Sequence, residues 1–277
     1  MARWYLLFLI LLERLQSINM LWGFKMKIIF FLLLVSFPSV VYSKVFVNDH
    51  GHIEYHGVIT ESKNVTAFTL FEKSNAKPKR IVISSSGGAV ESGIQLGEWV
   101  RENTLDVEVG EYCISSCANY VFIAGKDKFL RRSSFVGWHG SLLQMRQLPF
   151  VSASYLKAVD DYSLSCDLSE LRARYGSQFE FPVSSNHLRE CVLLRELGVD
   201  YRVMILGQHS DHYESIKHVG LWSYSYDALK ALGVNNIILT DNIWEPPLYV
   251  GDQKIFYFDI NSLAFFKQKK ARFIQSG

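Results

Sequence analysis

Long apolar runs, charge of one sign and Cys-x-x-Cys pairs are all missing from this chain of 277 residues. The net charge is only +2, with Lys and Arg spread along the sequence, so nothing points to nucleic acid as a partner. The small Lys267–Arg272 cluster is read as a solvated end. The lack of a Cys-x-x-Cys pair argues against a zinc site; no metal and no cofactor are expected. The apolar stretches Tyr5–Leu12 and Ile28–Val35 both fall short of the roughly 20 residues that span a bilayer. No internal repeat is visible. What is present is a hydrophobic content of 49%, enough for a sizeable core in one or two domains.

The N-terminus is set apart before the fold is read. Lys25-Met-Lys27, the apolar run Ile28–Val35 and the small residues before Ser43 have the shape of a bacterial export signal over residues 26–43. A second apolar run in front of it is unusual, which points to Met26 as the true start. The expected division is an extension and signal peptide over 1–43, a core domain over 44–240 and a tail over 241–277. Export implies a periplasmic or secreted protein, and an uncleaved signal would tie it to a membrane. Four cysteines lie beyond the signal, and an even count in an exported chain permits disulfides. Spacing does not settle the connectivity. Cys113 with Cys117 and Cys166 with Cys191 is the expected pairing, since the first two are neighbours in the chain and flank the turn described below.

Along the chain, Ile53–Ile59 reads as an early strand, and Thr60 or Ser62 caps a helix with Val65, Phe68, Leu70 and Phe71 on its apolar face. Pro78 forbids its continuation. Ile81-Val-Ile83 has no alternation, as expected of a strand buried on both faces. Helix Val90–Asn103, strand Leu105–Val109, a turn at Tyr112–Ser116, helix Ala118–Ala124 and strands Lys128–Arg131 and Phe135–Trp138 follow. This rhythm predicts stacked βαβ units, an α/β fold with a mainly parallel sheet. Later helices are expected at Ser152–Tyr162, His187–Leu197 and Tyr226–Leu232, a loop at Tyr175–Ser185, a strand near Leu239 and a small hairpin in the tail.

Three pieces carry chemistry. Ser84-Ser-Ser-Gly-Gly-Ala-Val90 ends a strand in a turn whose glycines let a backbone amide face a ligand. Cys113-Ile-Ser-Ser-Cys117 puts serines at a helix start, and His139 follows one strand later. Alone, each is an ordinary turn, a helix cap or a core histidine. In this order they supply an amide-lined pocket, a nucleophile and a base.

These residues resemble the Clp protease proteolytic subunit and, more closely, exported Clp-like proteins of the ClpP/crotonase superfold. The resemblance covers about Ile53–Trp138 and, loosely, Leu194–Val234. It implies Ser116 as nucleophile, His139 as base, and the amides of Gly88 and Cys117 as the oxyanion hole. Gly88 to Ser116 spans 28 positions and Ser116 to His139 spans 23, close to the family pattern. Ser115 is the alternative nucleophile, one residue away in register. The family's acid should fall near His218–Leu221, where no carboxylate stands; Asp211 is the expected substitute, and a Ser-His dyad is equally allowed. The implied activity is that of an exported serine peptidase acting on a peptide or protein through an acyl-enzyme. A non-catalytic binding or scaffold protein of the same fold is the alternative. An acyl-CoA enzyme is disfavoured, because coenzyme A is cytosolic. A homo-oligomer stays open. Gly140–Arg189 departs from the stretch that builds the subunit's ring interface, so ring assembly is not carried over.

Overall fold

The computed structural model describes residues 44–143, 153–175, 185–208, 216, 220–250 and 252–263. The chain divides into two compact units, 1–42 and 43–277, and every described residue belongs to the second. The expected signal over 26–43, the Lys267–Arg272 cluster and Asp211 lie outside the described residues.

In chain order, β1 (Val45–Val47) and β2 (Ile53–His56) precede α1 (Glu61–Lys73), β3 (Arg80–Ser85), α2 (Val90–Glu102) and β4 (Asp106–Ile114). A π-helix (Cys117–Phe122) leads to β5 (Lys128–Leu130) and β6 (Phe135–Gly137). Helices α3 (Ala153–Ser165), α4 (Ser169–Tyr175) and α5 (Asn186–Leu197) follow, then two 3-10 turns, Tyr201–Met204 and Leu206–Gln208. The remainder is β7 (Trp222–Tyr224), α6 (Tyr226–Ala231), β8 (Ile237–Leu239), β9 (Tyr249–Val250), β10 (Gln253–Lys254) and β11 (Phe256–Phe258).

The main sheet runs β1-β2-β3-β4-β5-β8, with β6 also paired to β4. Only β1 and β2 are antiparallel to each other; every other pairing in this sheet is parallel. The protein is therefore α/β with a mainly parallel sheet, as the alternating pattern predicts. Residues Ile81 to Ser85 of β3 are buried without interruption, which is why that strand shows no polar alternation.

Helix α1 starts where expected, the Thr60 hydroxyl accepting from the Lys63 amide. Its inward face is different. Val65 is 54% exposed, whereas Asn64 is fully buried beside Ala67 and Phe71. Asn64 accepts from the Tyr55 hydroxyl at 3.0 Å and donates to the Ser92 carbonyl at 2.8 Å and Gln95 Oε1 at 2.9 Å. A buried amide with its capacity met joins β2, α1 and α2. Apolar periodicity has no way to find it.

Strand β4 bends, and the bend positions everything that follows. Ile83 pairs with Val109 but Ser85 pairs with Cys113, so β4 carries two extra residues between these points. Such a bulge turns a strand away from its first neighbour. Accordingly Val107–Val109 pair with β5, whereas Tyr112–Ile114 pair with β6. The Ser84 hydroxyl accepts the Glu111 amide at 3.0 Å inside the bulge. Sequence alternation places the turn at Tyr112. The structure continues the strand to Ile114, because β6 supplies a new partner there.

In the tail, β9 and β10 form the expected hairpin. Strand β11 then pairs in parallel with β7. Neither β7 nor α4 is anticipated by periodicity, both being too short to show one. Among the described residues, no helix is long and apolar enough to cross a membrane.

Candidate active site

Strands β4 and β6 end side by side, Ile114 opposite Gly137. One residue beyond β4, the Ser115 amide donates to the Gly137 carbonyl at 3.0 Å. Two residues beyond β6 stands His139. Trp138 points inward, fully buried, and its backbone exchanges two hydrogen bonds with Trp222, at 2.8 and 2.9 Å. His139 follows it and faces outward to solvent. The result is a hydroxyl and an imidazole at the C-terminal ends of adjacent parallel strands. Ser115 Oγ lies 2.6 Å from His139 Nε2.

The serine at His139 is thus Ser115 and not Ser116. Ser115 has a φ of +60°, a left-handed conformation that a serine adopts only when its surroundings impose it. That turn swings Oγ toward the imidazole. Ser116 is 3% exposed and its hydroxyl donates to the Gly88 carbonyl at 2.9 Å, away from the ring. The one-residue shift comes from the turn at Ser115 itself, whose positive φ and amide bond to the Gly137 carbonyl set Ser115, not Ser116, against β6; beyond it Cys117–Phe122 is a π-helix in place of the expected α-helix.

The Gly87-Gly88 turn abuts this segment. Gly87 has a φ of +90°, and a Cβ there would sit 2.7 Å from the Ile114 carbonyl and 2.9 Å from the Ser116 nitrogen. A Cβ on Gly88 would sit 2.0 Å from the Ile59 carbonyl. Both positions require glycine, one for its conformation and both for room. The Gly87 carbonyl accepts the Ile59 amide at 2.8 Å, and the Ser85 hydroxyl accepts the Gly87 amide at 3.0 Å. Among the described residues neither the Gly88 nor the Ser116 amide has a hydrogen-bond acceptor.

Cys113, in β4, and Cys117, opening the π-helix, form a disulfide across the turn with a Cα–Cα distance of 5.2 Å. Cys166 and Cys191 form the second, joining the end of α3 to α5. Both pairs are the expected ones.

Protein packed around the imidazole lowers the His139 pKa below its ordinary 6.5, although one side of the ring is open; a hydrogen bond to the residue's own carbonyl opposes this. Gln208 Nε2 donates to that same carbonyl at 3.4 Å, and Asn119 Nδ2 donates to the Gly140 carbonyl at 2.8 Å. Among the described residues no carboxylate forms an ion pair with His139. Asp211 lies outside them. The lowered pKa favours the neutral imidazole, whose Nε2 lies against the Ser115 hydroxyl. Gln208 is a contact that motif reading missed, and only the fold brings it to His139 from 69 positions away. Among the described residues, no group of three or more His, Cys, Asp or Glu side chains is placed to hold a metal ion.

No protein-family model matches this chain, and no curated protein matches it. Among solved structures, a single-site mutant of ClpP1 from Listeria monocytogenes is similar to it at 17% identity and a TM-score of 0.34, over 68% of this chain and 91% of that one.

Proposed function

We propose that this protein is a serine hydrolase, a peptidase that cleaves peptide or protein substrates through an acyl-enzyme on Ser115. The observation that carries the reading is the 2.6 Å contact between Ser115 Oγ and His139 Nε2. In the proposed cycle His139 Nε2 takes the Ser115 proton as Oγ attacks the carbonyl carbon. The amides of Gly88 and Ser116 hold the developing oxyanion; the donor after the nucleophile passes from Cys117 to Ser116 with the change of register. His139 then returns its proton to the leaving amine, and water resolves the acyl-enzyme by the same steps. The His139 carbonyl orients the ring in place of a carboxylate, so a dyad is the arrangement proposed. The two disulfides suit an oxidising compartment, which agrees with the proposed export.

A fluorophosphonate probe tests the reading. Folded protein is expected to take up one label, found on Ser115 by peptide mapping and lost in Ser115→Ala. Absence of label on folded protein, or a Ser115→Ala variant that labels like the parent, would overturn it in favour of a binding or scaffold protein.

A further inference from the structure

The two disulfides differ in what they enclose. Cys166–Cys191 bridges residues 25 apart in the helical layer, whereas Cys113–Cys117 bridges residues 4 apart, with Ser115 at the midpoint. We infer that the Cys113–Cys117 disulfide is a positioning device for the nucleophile, holding Ser115 in the strained conformation that points its hydroxyl at His139. The inference rests on the hydrolase reading of the same site.

The geometry gives the reason. Four residues of extended chain span roughly 13–14 Å, yet the Cys113 and Cys117 Cα atoms are 5.2 Å apart. Chain between such fixed points must turn back on itself, and the turn falls on Ser115 at φ +60°. A serine freed from that constraint relaxes toward negative φ, which carries Oγ away from the ring. Both anchors are stiff. Cys113 is paired across the sheet with Ser85 on one side and Val136 on the other, and Cys117 opens a π-helix whose six residues are all buried. On the far side, Tyr120 of that helix is tied to Glu190. Both sulfurs lie in residues that are 0% exposed, so the bridge is a permanent part of the site and not one that solvent thiols reach in the folded state.

A loop this short constrains the unfolded chain less than the longer Cys166–Cys191 loop does. The two bridges therefore separate stability from positioning. Three variants are compared with the parent: Cys113→Ala with Cys117→Ala, Cys113→Val with Cys117→Val to refill the lost volume, and Cys166→Ala with Cys191→Ala. Each is followed by thermal melting and by the rate of fluorophosphonate labelling at Ser115 across pH.

Loss of the active-site bridge is expected to slow labelling about 100-fold, the scale of a misplacement of about 1 Å. The midpoint of the pH profile should stay with His139, and the melting temperature should fall less than in the Cys166 variant. Loss of the other bridge should lower the melting temperature while labelling of the folded protein stays within about threefold. Alanine or valine variants that fold and label at the parent's rate would overturn the positioning role and leave the hydrolase reading standing. A parent that takes no label overturns both.

Discussion

Two titratable clusters sit along the same π-helix, and they have opposite characters. Before its first turn, His139 meets Ser115 with one side open to solvent and its pKa lowered by the protein around it. At its middle, Tyr120 donates to Glu190, which is fully buried, accepts a second hydrogen bond from Tyr201 and a third from the Leu142 amide, and has its pKa pushed up to about 7 by burial. Both groups are perturbed by desolvation, yet only His139 is open to solvent. A shifted pKa marks chemistry where there is access and strain beside it; where the group is hydrogen-bonded on both oxygens and water is excluded, it marks structure. The sealed cluster still serves the open one. Glu190 joins the π-helix that begins behind Ser115 to the segment after His139, so it holds the two strand-end loops in one frame.

The largest expected effect isolates the open cluster. Ser115→Ala should cut probe labelling and turnover by at least about 10⁴-fold with no change in melting temperature; retained activity in that variant would remove the distinction between the clusters.

Next in size is Glu190→Ala, which strands two buried tyrosine hydroxyls and leaves a cavity. A loss of about 3 kcal/mol in urea unfolding is expected, with Tyr201→Phe costing about 1 kcal/mol. A Glu190→Ala protein as stable as the parent would mean that the cluster supports nothing.

The two clusters also answer pH differently. Labelling should be lost as pH falls through a midpoint below 6.5, where His139 takes up a proton and can no longer accept one from Ser115. The Glu190 contribution to stability should respond over an overlapping range but with the opposite sign. The Glu190 pKa is raised from 4.5 to about 7, so its stabilising contribution is full below about 4.5 and is lost as pH rises through about 7. Melting temperature measured between these values should fall with pH, and Glu190→Gln should flatten the slope.

Ser116→Ala is the smallest change. It removes one hydrogen bond to the Gly88 carbonyl, worth about 1 kcal/mol. Labelling should drop only a few-fold, through looser placement of the Gly87-Gly88 turn. A loss as large as that of Ser115→Ala would return the nucleophile to Ser116.

Much of the fold is legible in the chain. The uninterrupted apolar run of β3, the Thr60 cap and the helix stop before Pro78 all follow from residue chemistry acting over a few positions. The candidate site was legible as a set of pieces: the glycine turn, the adjacent serines and the histidine. The register of the serine that meets His139 was not. Ser115 and Ser116 are the same side chain in neighbouring positions, and no local preference separates them. The visible signal was the placement of Cys113 and Cys117 symmetrically about Ser115, which acquires meaning only once the bridge is known to span a turn. Strand β7 and the Asn64 contacts were hidden for a similar reason, because a three-residue strand has no period and a buried amide looks like a surface one.

Composition and local pattern by themselves determined an α/β chain with a parallel sheet, a Gly-Gly turn, a serine pair and one histidine beyond it. The tertiary structure decided which serine faces that histidine. It did so through a bulge that hands β4 from β5 to β6, and through a left-handed turn at Ser115 held by the Gly137 carbonyl of β6. Both depend on contacts between segments distant in the chain, which is why no window of sequence contains them.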